Sequence, residues 1–365
     1  MYDRSRSDVL ILGSVPLANS EEVISAIANV LGHRVRRIPD GETGDRLKWI
    51  DWQTAVFEQH PMLERAPQNL GADADWRNKA GLAQWKNTGW LKIRDGVDLN
   101  ALHFGPLGYA QAAIDSFHTF SELKRKGIVH EACRFQVSIP TPYNVIDQRI
   151  VPNERVAVER AYETRVLTEI AEIAASIPNN ELAIQWDVAH EVENLDGARP
   201  LWFDNHEEGI IERLARLGKA VPERTELGYH LCYGDFAHQH IIQPTDMGLM
   251  VRLTNSLSQA IKRPINWVHM PVPRDRTDEA YYSPLRDLRL QTGTRLYLGL
   301  IHFTDGKAGT IDRLKVAQKF AADFGVATEC GFGRRDPQTI KQLLHLHKEI
   351  ADSLVSPDRT HSDAR

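Results

Sequence analysis

Long apolar runs are missing from this 365-residue chain. No stretch of about 18 apolar residues occurs, so no segment reads as a bilayer-spanning helix. The opening residues, Met1-Tyr2-Asp3-Arg4-Ser5-Arg6-Ser7, lack the apolar centre of a secretory signal, which leads us to expect a cytoplasmic protein. Cysteine is also scarce. Cys133, Cys232 and Cys330 are too few for a disulfide framework at this length, in keeping with a reducing compartment. There is no excess of positive charge. A formal net charge of −5 gives no reason to expect nucleic acid or an anionic membrane as a partner. A Gly-x-Gly-x-x-Gly fingerprint after the first apolar run is absent, which removes the usual sign of a dinucleotide site. What is present, 42% hydrophobic and 25% charged residues, suits a globular protein with a sizeable core.

Hydrophobic patterning divides the chain into alternating strands and helices. Val9-Leu10-Ile11-Leu12-Gly13-Ser14 reads as a buried strand. Ser20 to Leu31 carries Val23, Ile24, Ile27 and Val30 at helical spacing, with Ser20 available as its cap. The strand Arg34 to Ile38 runs into the turn-rich Pro39-Asp40-Gly41-Glu42-Thr43-Gly44. Further strands are expected at 135–139, 182–187, 227–232, 265–269, 295–300 and 326–330, and helices at 109–126, 154–176, 206–217, 246–261, 310–324 and 337–354, with 281–290 a connecting segment. This alternation predicts a parallel sheet, and eight such units predict a (β/α)8 TIM barrel filling residues 1–355 as one domain, followed by a flexible polar tail at 356–365. A doubly wound sheet is the alternative. Residues 45–107 break the pattern. They hold five of the eight tryptophans (Trp49, Trp52, Trp76, Trp85 and Trp90) and are too long for a connector, so we expect a lid or insertion with short helices after the second strand. For the tryptophans themselves, plain packing of the insertion onto the barrel is the favoured expectation.

In such a barrel the chemistry sits at the C-terminal ends of the strands. Those ends are Gly13-Ser14, the loop with Asp40 and Glu42, Thr141 with Tyr143, Asp187, His230 with Cys232, His269, His302 and Cys330. Residues two apart in a strand share a face, so His230 and Cys232 project side by side. Together with Cys330 they offer one nitrogen and two sulfurs, a set suited to tetrahedral zinc with one position left for substrate. His269 is either a further ligand or a residue supporting the ligands or touching substrate. Asp235 and Glu329 are weaker ligand candidates. Two core cysteines beside a hydrogen-bonded histidine would give the same pattern without a metal. Cys133 enters a strand and reads as a small buried hydrophobe.

Taken in chain order, these segments resemble the catalytic barrel of cobalamin-independent methionine synthase and its related zinc barrels, over residues 8–352. Leu12-Gly13-Ser14-Val15-Pro16 is similar to the family's opening Ile-Gly-Ser-Phe-Pro, and Asp40-Gly41-Glu42 to its Gly-Glu loop. Gln185-Trp186-Asp187 resembles its Gln-x-Asp-Glu-Pro strand end, and His230-Leu231-Cys232-Tyr233 its His-x-Cys-Tyr motif. Ile301-His302 resembles its catalytic histidine segment, and Glu329-Cys330-Gly331-Phe332 its Asp-Cys-Gly-Leu motif. The resemblance implies a zinc-dependent methyl (alkyl) transferase acting on a thiol such as homocysteine. It implies that His230, Cys232 and Cys330 hold zinc, and that Ser14, Glu42 and Asp187 grip the amino-acid part of the substrate. His302 would serve as acid or proton relay, and Tyr143 would face the methyl donor, a methylated folate in the family.

Two departures accompany it. The family's carboxylate zinc ligand is replaced around His269, and the Asp-Glu-Pro triplet reads Asp187-Val188-Ala189. The chain has room for one barrel, unlike the full-length synthase, so it looks like a stand-alone relative with its own second substrate. A zinc-dependent epoxide–thiol transferase or lyase, a metal-free uroporphyrinogen decarboxylase-like enzyme and a non-catalytic zinc protein are the competing expectations. The expected partners are a small-molecule thiol and a methyl donor, and homo-oligomers are left open.

Overall fold

Seven strands run parallel in one curled sheet in the computed structural model, which describes residues 9–67, 90–234, 240 and 242–354. In chain order the strands are β1 (Arg37–Pro39), β2 (Leu63–Arg65), β3 (Leu91–Ile93), β4 (Arg134–Pro140), β5 (Leu182–Val188), β6 (Glu226–Leu231), β7 (Trp267–Pro271), β8 (Arg295–Ile301) and β9 (Gly325–Thr328). The large sheet has the order β1-β4-β5-β6-β7-β8-β9, so each strand pairs with its successor outside the β2–β3 excursion. Helices between strands, among them Tyr109–Arg125, Arg155–Ser176, His206–Ala220 and Gly248–Ala260, account for this parallel order.

The two edges of the sheet meet one segment. Val9 makes parallel bridges to both Val35 and Val326. Its N–H donates to the Arg34 carbonyl at 2.8 Å, and that of Leu10 to the Val326 carbonyl at 3.0 Å. The expected strand at 9–14 is reduced to this bridging residue because side chains take over its inner carbonyls. Gln136 Nε2 donates to Ile11 O (3.0 Å), while Ser138 Oγ (2.9 Å) and Gln185 Nε2 (2.5 Å) donate to Leu12 O. The architecture is that of an α/β partial barrel.

Several local expectations shift. The helix Ser20–Leu31 is capped by Asn19, whose side chain accepts from Glu22 N at 2.9 Å, and not by Ser20. The connecting segment at 281–290 holds the end of a one-turn helix, Glu279–Tyr282, and a 3₁₀ turn at Ser283–Asp287, where Pro284 enters the first turn. The insertion contains the expected short helices, 3₁₀ turns over Gly44–Gln53 that break at Trp49 and the helix Thr54–Glu58, and also an unexpected antiparallel pair of β2 with β3. Trp52 packs edge-on against Tyr109 with ring centroids 4.9 Å apart, and Trp90 is buried beside Arg155, as plain packing would have it. Trp76, Trp85 and the tail at 356–365 lie outside the described residues.

Alternation along the strands sorts the side chains. Tyr229 points outward, and its hydroxyl donates to Leu214 O (2.9 Å) on a covering helix. On the inner face Leu10, Leu12, Ala183, Trp267, Tyr297 and Ala327 form a separate buried cluster, with the Arg37 guanidinium 4.0 Å from the Trp267 ring centre. Cys133 is buried, and burial pushes its thiol up to about 12, in line with a packing role. Among the described residues no helix is long and apolar enough to cross a membrane.

Candidate functional site

The strand register places the ionisable residues above that apolar cluster. Asp187 pairs with His230, and His230 with His269, across β5, β6 and β7. Cys232 follows β6, and its N–H still donates to Val188 O at 2.8 Å, so the alternation carries it to the same face as His230. Cys330 lies just past β9 in a turn held by Thr328 Oγ1 donating to its carbonyl at 2.7 Å. One ligand atom each from His230, Cys232 and Cys330 come within 4.8 Å of one another, and the two sulfurs are 4.0 Å apart. Two sulfurs bound to one tetrahedral zinc at about 2.3 Å stand nearly that far apart, so the donor set and spacing fit such an ion. The Cys330 thiol is held well below its ordinary value. The hydrogen bond with Cys232 contributes most, loss of solvent opposes it, and His230 and Arg334 add to the lowering.

His269 stands behind His230. The Nδ1 atoms of the two rings are 2.8 Å apart, and His269 Nε2 is 3.0 Å from Thr328 O. Burial, then the neighbouring His230, push the His269 ring well below the usual histidine range. Glu329 belongs to a different cluster. Its carboxylate lies between His302 Nδ1 (3.5 Å) and His240 Nε2 (3.6 Å), while His302 Nε2 donates to Val272 O at 2.8 Å. Loss of solvent pushes the Glu329 carboxyl up, but the two histidines outweigh it and hold the group below the usual carboxylate range. Asp235 lies outside the described residues.

A carboxylate pocket adjoins the sulfurs. Gln185 Nε2 donates to Asp187 Oδ1 at 2.9 Å. Burial pushes the Asp187 carboxyl up to about 6, against the lowering pull of His230, Gln185 and a hydrogen bond from Trp49. Glu42 sits at φ 48°, its N–H bonded to Asp40 Oδ1 at 2.9 Å. Gly13 leaves the space that the Glu42 carboxylate occupies, since a Cβ there would collide with it. Loss of solvent, then the charges of Asp187 and Asp40, keep the Glu42 carboxyl well above the usual range. Ser14 lies against the Cys330 turn: its carbonyl accepts from Phe332 N at 2.7 Å, and a Cβ on Gly331 would come 2.6 Å from its hydroxyl.

The structure thus gathers His230, Cys232, Cys330, Ser14, Glu42 and Asp187, with His302 reaching Glu329 next to Cys330. Tyr143 is placed differently. It is buried and stacked on Trp202 at 4.0 Å between ring centres, its hydroxyl accepting from Asn194 Nδ2 at 2.8 Å. Two contributors were missed in the sequence. His240 has no motif around it. Trp49, within the expected lid or insertion, reaches Asp187 and meets His190 edge-on at 5.6 Å. It does so at φ 54°, ψ −114°, backbone that a bulky residue adopts only under constraint.

Fold and site together define an α/β protein with a curled parallel sheet and a nitrogen–sulfur ligand cluster above its inner core. No family model matches the chain, and no curated protein matches it. Solved structures do. One is a Listeria monocytogenes protein assigned as a vitamin-B12-independent methionine synthase, with a TM-score of 0.51 and 14% identity, covering 91% of this chain and 86% of that one. Another is a B12-independent methionine synthase from Shewanella sp. W3-18-1, with a TM-score of 0.53 and 13% identity, covering 95% and 97%. At these identities the likeness is one of fold.

Proposed function

We propose that this chain is a zinc-dependent transferase on a closed (β/α)8 barrel, moving a methyl or other alkyl group to a thiol such as homocysteine. The observation that carries this reading is the approach of His230, Cys232 and Cys330 to within 4.8 Å of one another beside a buried carboxylate pocket. His230, Cys232 and Cys330 would hold the ion, which when bound keeps a coordinated thiol in its thiolate form at neutral pH. Asp187 and Glu42 would bind the ammonium group of the acceptor. Both carboxyls are held above their ordinary values, and a cation between them relieves that strain. Ser14, against the Cys330 turn, would meet the rest of the amino-acid backbone. The Shewanella structure was solved in complex with selenomethionine, an amino acid of the class such a pocket takes.

His302 would keep a proton at Nδ1 beside the ionised Glu329, its ring held in place by the Val272 carbonyl at Nε2. Delivered to the leaving nitrogen or oxygen, that proton completes the transfer from the donor, for which a methylated folate is the first choice. A second reading, attack of a thiol on an epoxide, uses the same sulfurs without an ammonium pocket. In its favour, burial and then the charges of Asp187 and Asp40 hold the Glu42 carboxyl well above the usual carboxylate range, which disfavours the charge an ammonium group would pair with.

Metal analysis of the purified protein, with X-ray absorption before and after homocysteine, tests the main reading. About one zinc per chain and one added sulfur neighbour are expected. Absence of zinc, or no change on adding the thiol, defeats it. Loss of activity in Glu42→Gln and Asp187→Asn favours the amino-acid acceptor over the epoxide reading.

A further inference from the structure

We infer that His269 is a positioning residue that turns the bare nitrogen of His230 toward Cys232 and Cys330, leaving the centre with three protein ligands. This rests on the zinc reading above and departs from a four-ligand centre.

Carbonyl oxygens only accept hydrogen bonds, so His269 Nε2, 3.0 Å from Thr328 O, carries a proton. The two Nδ1 atoms, 2.8 Å apart, share one proton between them. An imidazole with its proton on Nε2 keeps its lone pair on Nδ1. Its Nδ1 therefore accepts, and His230 Nδ1 donates. The lone pair of His230 is then left at Nε2, the nitrogen free to face the sulfurs. With both nitrogens engaged, His269 has no lone pair to give a metal.

The fold makes room for this chain of hydrogen bonds. The register pairs His230 with His269 directly. On the next strand Gly299 leaves the outer end clear: a Cβ there would come 3.0 Å from His269 Nε2 and 2.8 Å from Thr328 O. The electrostatic consequence follows from the donor count. Two thiolates and a neutral imidazole balance a divalent ion, whereas a carboxylate ligand would leave the centre negative before any substrate thiolate arrived.

The test uses the full chain loaded with zinc, read by X-ray absorption for the number of bound imidazoles and by competition with a chromophoric chelator for affinity. One imidazole is expected in the wild type and still one in His269→Ala, whose zinc affinity falls about 10–100-fold. His269→Asn, whose amide oxygen accepts the His230 proton, should recover most of that loss; it also serves as the comparison if the alanine variant does not fold. Two imidazoles in the wild type falling to one in either variant overturn the inference, as does unchanged affinity in His269→Ala. These outcomes leave the zinc reading standing, whereas a wild type that binds no zinc removes both.

Discussion

The inner face of the sheet changes character within two residues of each strand. Lower down, Ala183, Trp267 and Tyr297 pack with Leu10, Leu12 and Ala327 in a dry cluster. One alternation higher on the same faces stand Gln185 and His269, and above them Asp187 and, past His230, Cys232. Gln185 joins the two regions. Its Oε1 accepts from Trp267 Nε1 at 3.3 Å, and its Nε2 donates to Asp187 Oδ1 at 2.9 Å. The lower cluster therefore does more than fill space: it sets which end of the Gln185 amide meets the carboxylate. The strand-borne part of the site, Asp187, His230 and His269, takes its geometry from this packed floor, while Glu42 and Cys330 are brought to it by the turns after β1 and β9.

Breaking the upper region alone should give the largest effect on function. Cys232→Ser combined with Cys330→Ser is expected to take zinc from about one per chain to none and abolish transfer, with a melting temperature close to that of the zinc-stripped wild type, since the stabilisation lost is that of the bound ion. Full metal retention in this variant would defeat the separation of the two regions. Breaking the lower region alone is expected to act on stability. Trp267→Ala should cost about 3–5 kcal/mol in denaturant unfolding, while the protein that remains folded still binds zinc. Wild-type stability in that variant would mean that the floor is not packed as described.

The contrast also explains what the sequence made legible. His230 and Cys232 were readable because two-residue spacing in a strand is a local rule. Cys330 was readable because an apolar run ends beside it. The seven paired strands followed from the alternation of apolar runs with helices. Which side of His230 receives His269 depends on the register of β6 against β7, a long-range pairing with no local signature. The same holds for Glu329, whose histidine partners come from the chain 27 and 89 positions earlier (329 − 302 and 329 − 240). The run at 9–14 looked like a strand because apolar patterning cannot reveal that Gln136, Ser138 and Gln185 replace its ladder. Trp49 escaped because its approach needs left-handed backbone, which tryptophan does not advertise.

An intermediate effect is expected where the two regions touch, at Asp187. Its carboxyl, pushed up to about 6, binds a proton more tightly in the folded chain than in the unfolded one, where such a group titrates near 4. Folded stability from this group therefore falls as pH rises from about 4 to about 6 and stays lower above that. Asp187→Asn should raise stability at pH 7 by about 1–3 kcal/mol and remove its share of that pH dependence, while weakening binding of an amino-acid ligand. A loss of stability at pH 7 would show that this carboxylate is not held against its own solvation.

The smallest effect sharpens the comparison from the insertion side. Trp49→Phe keeps an aromatic edge toward His190 and removes the indole N–H from Asp187. A hydrogen bond of this kind is worth about 1 kcal/mol, or roughly fivefold in an equilibrium. Without it the Asp187 carboxyl ionises at a higher pH, so amino-acid affinity measured by calorimetry should drop a few-fold at pH 7 and recover in part at pH 8. Zinc content should not move, because the ligand atoms of His230, Cys232 and Cys330 do not depend on the indole. A pH-independent loss would instead assign Trp49 to the shape of the pocket, and a loss of zinc would tie the insertion to the metal centre itself.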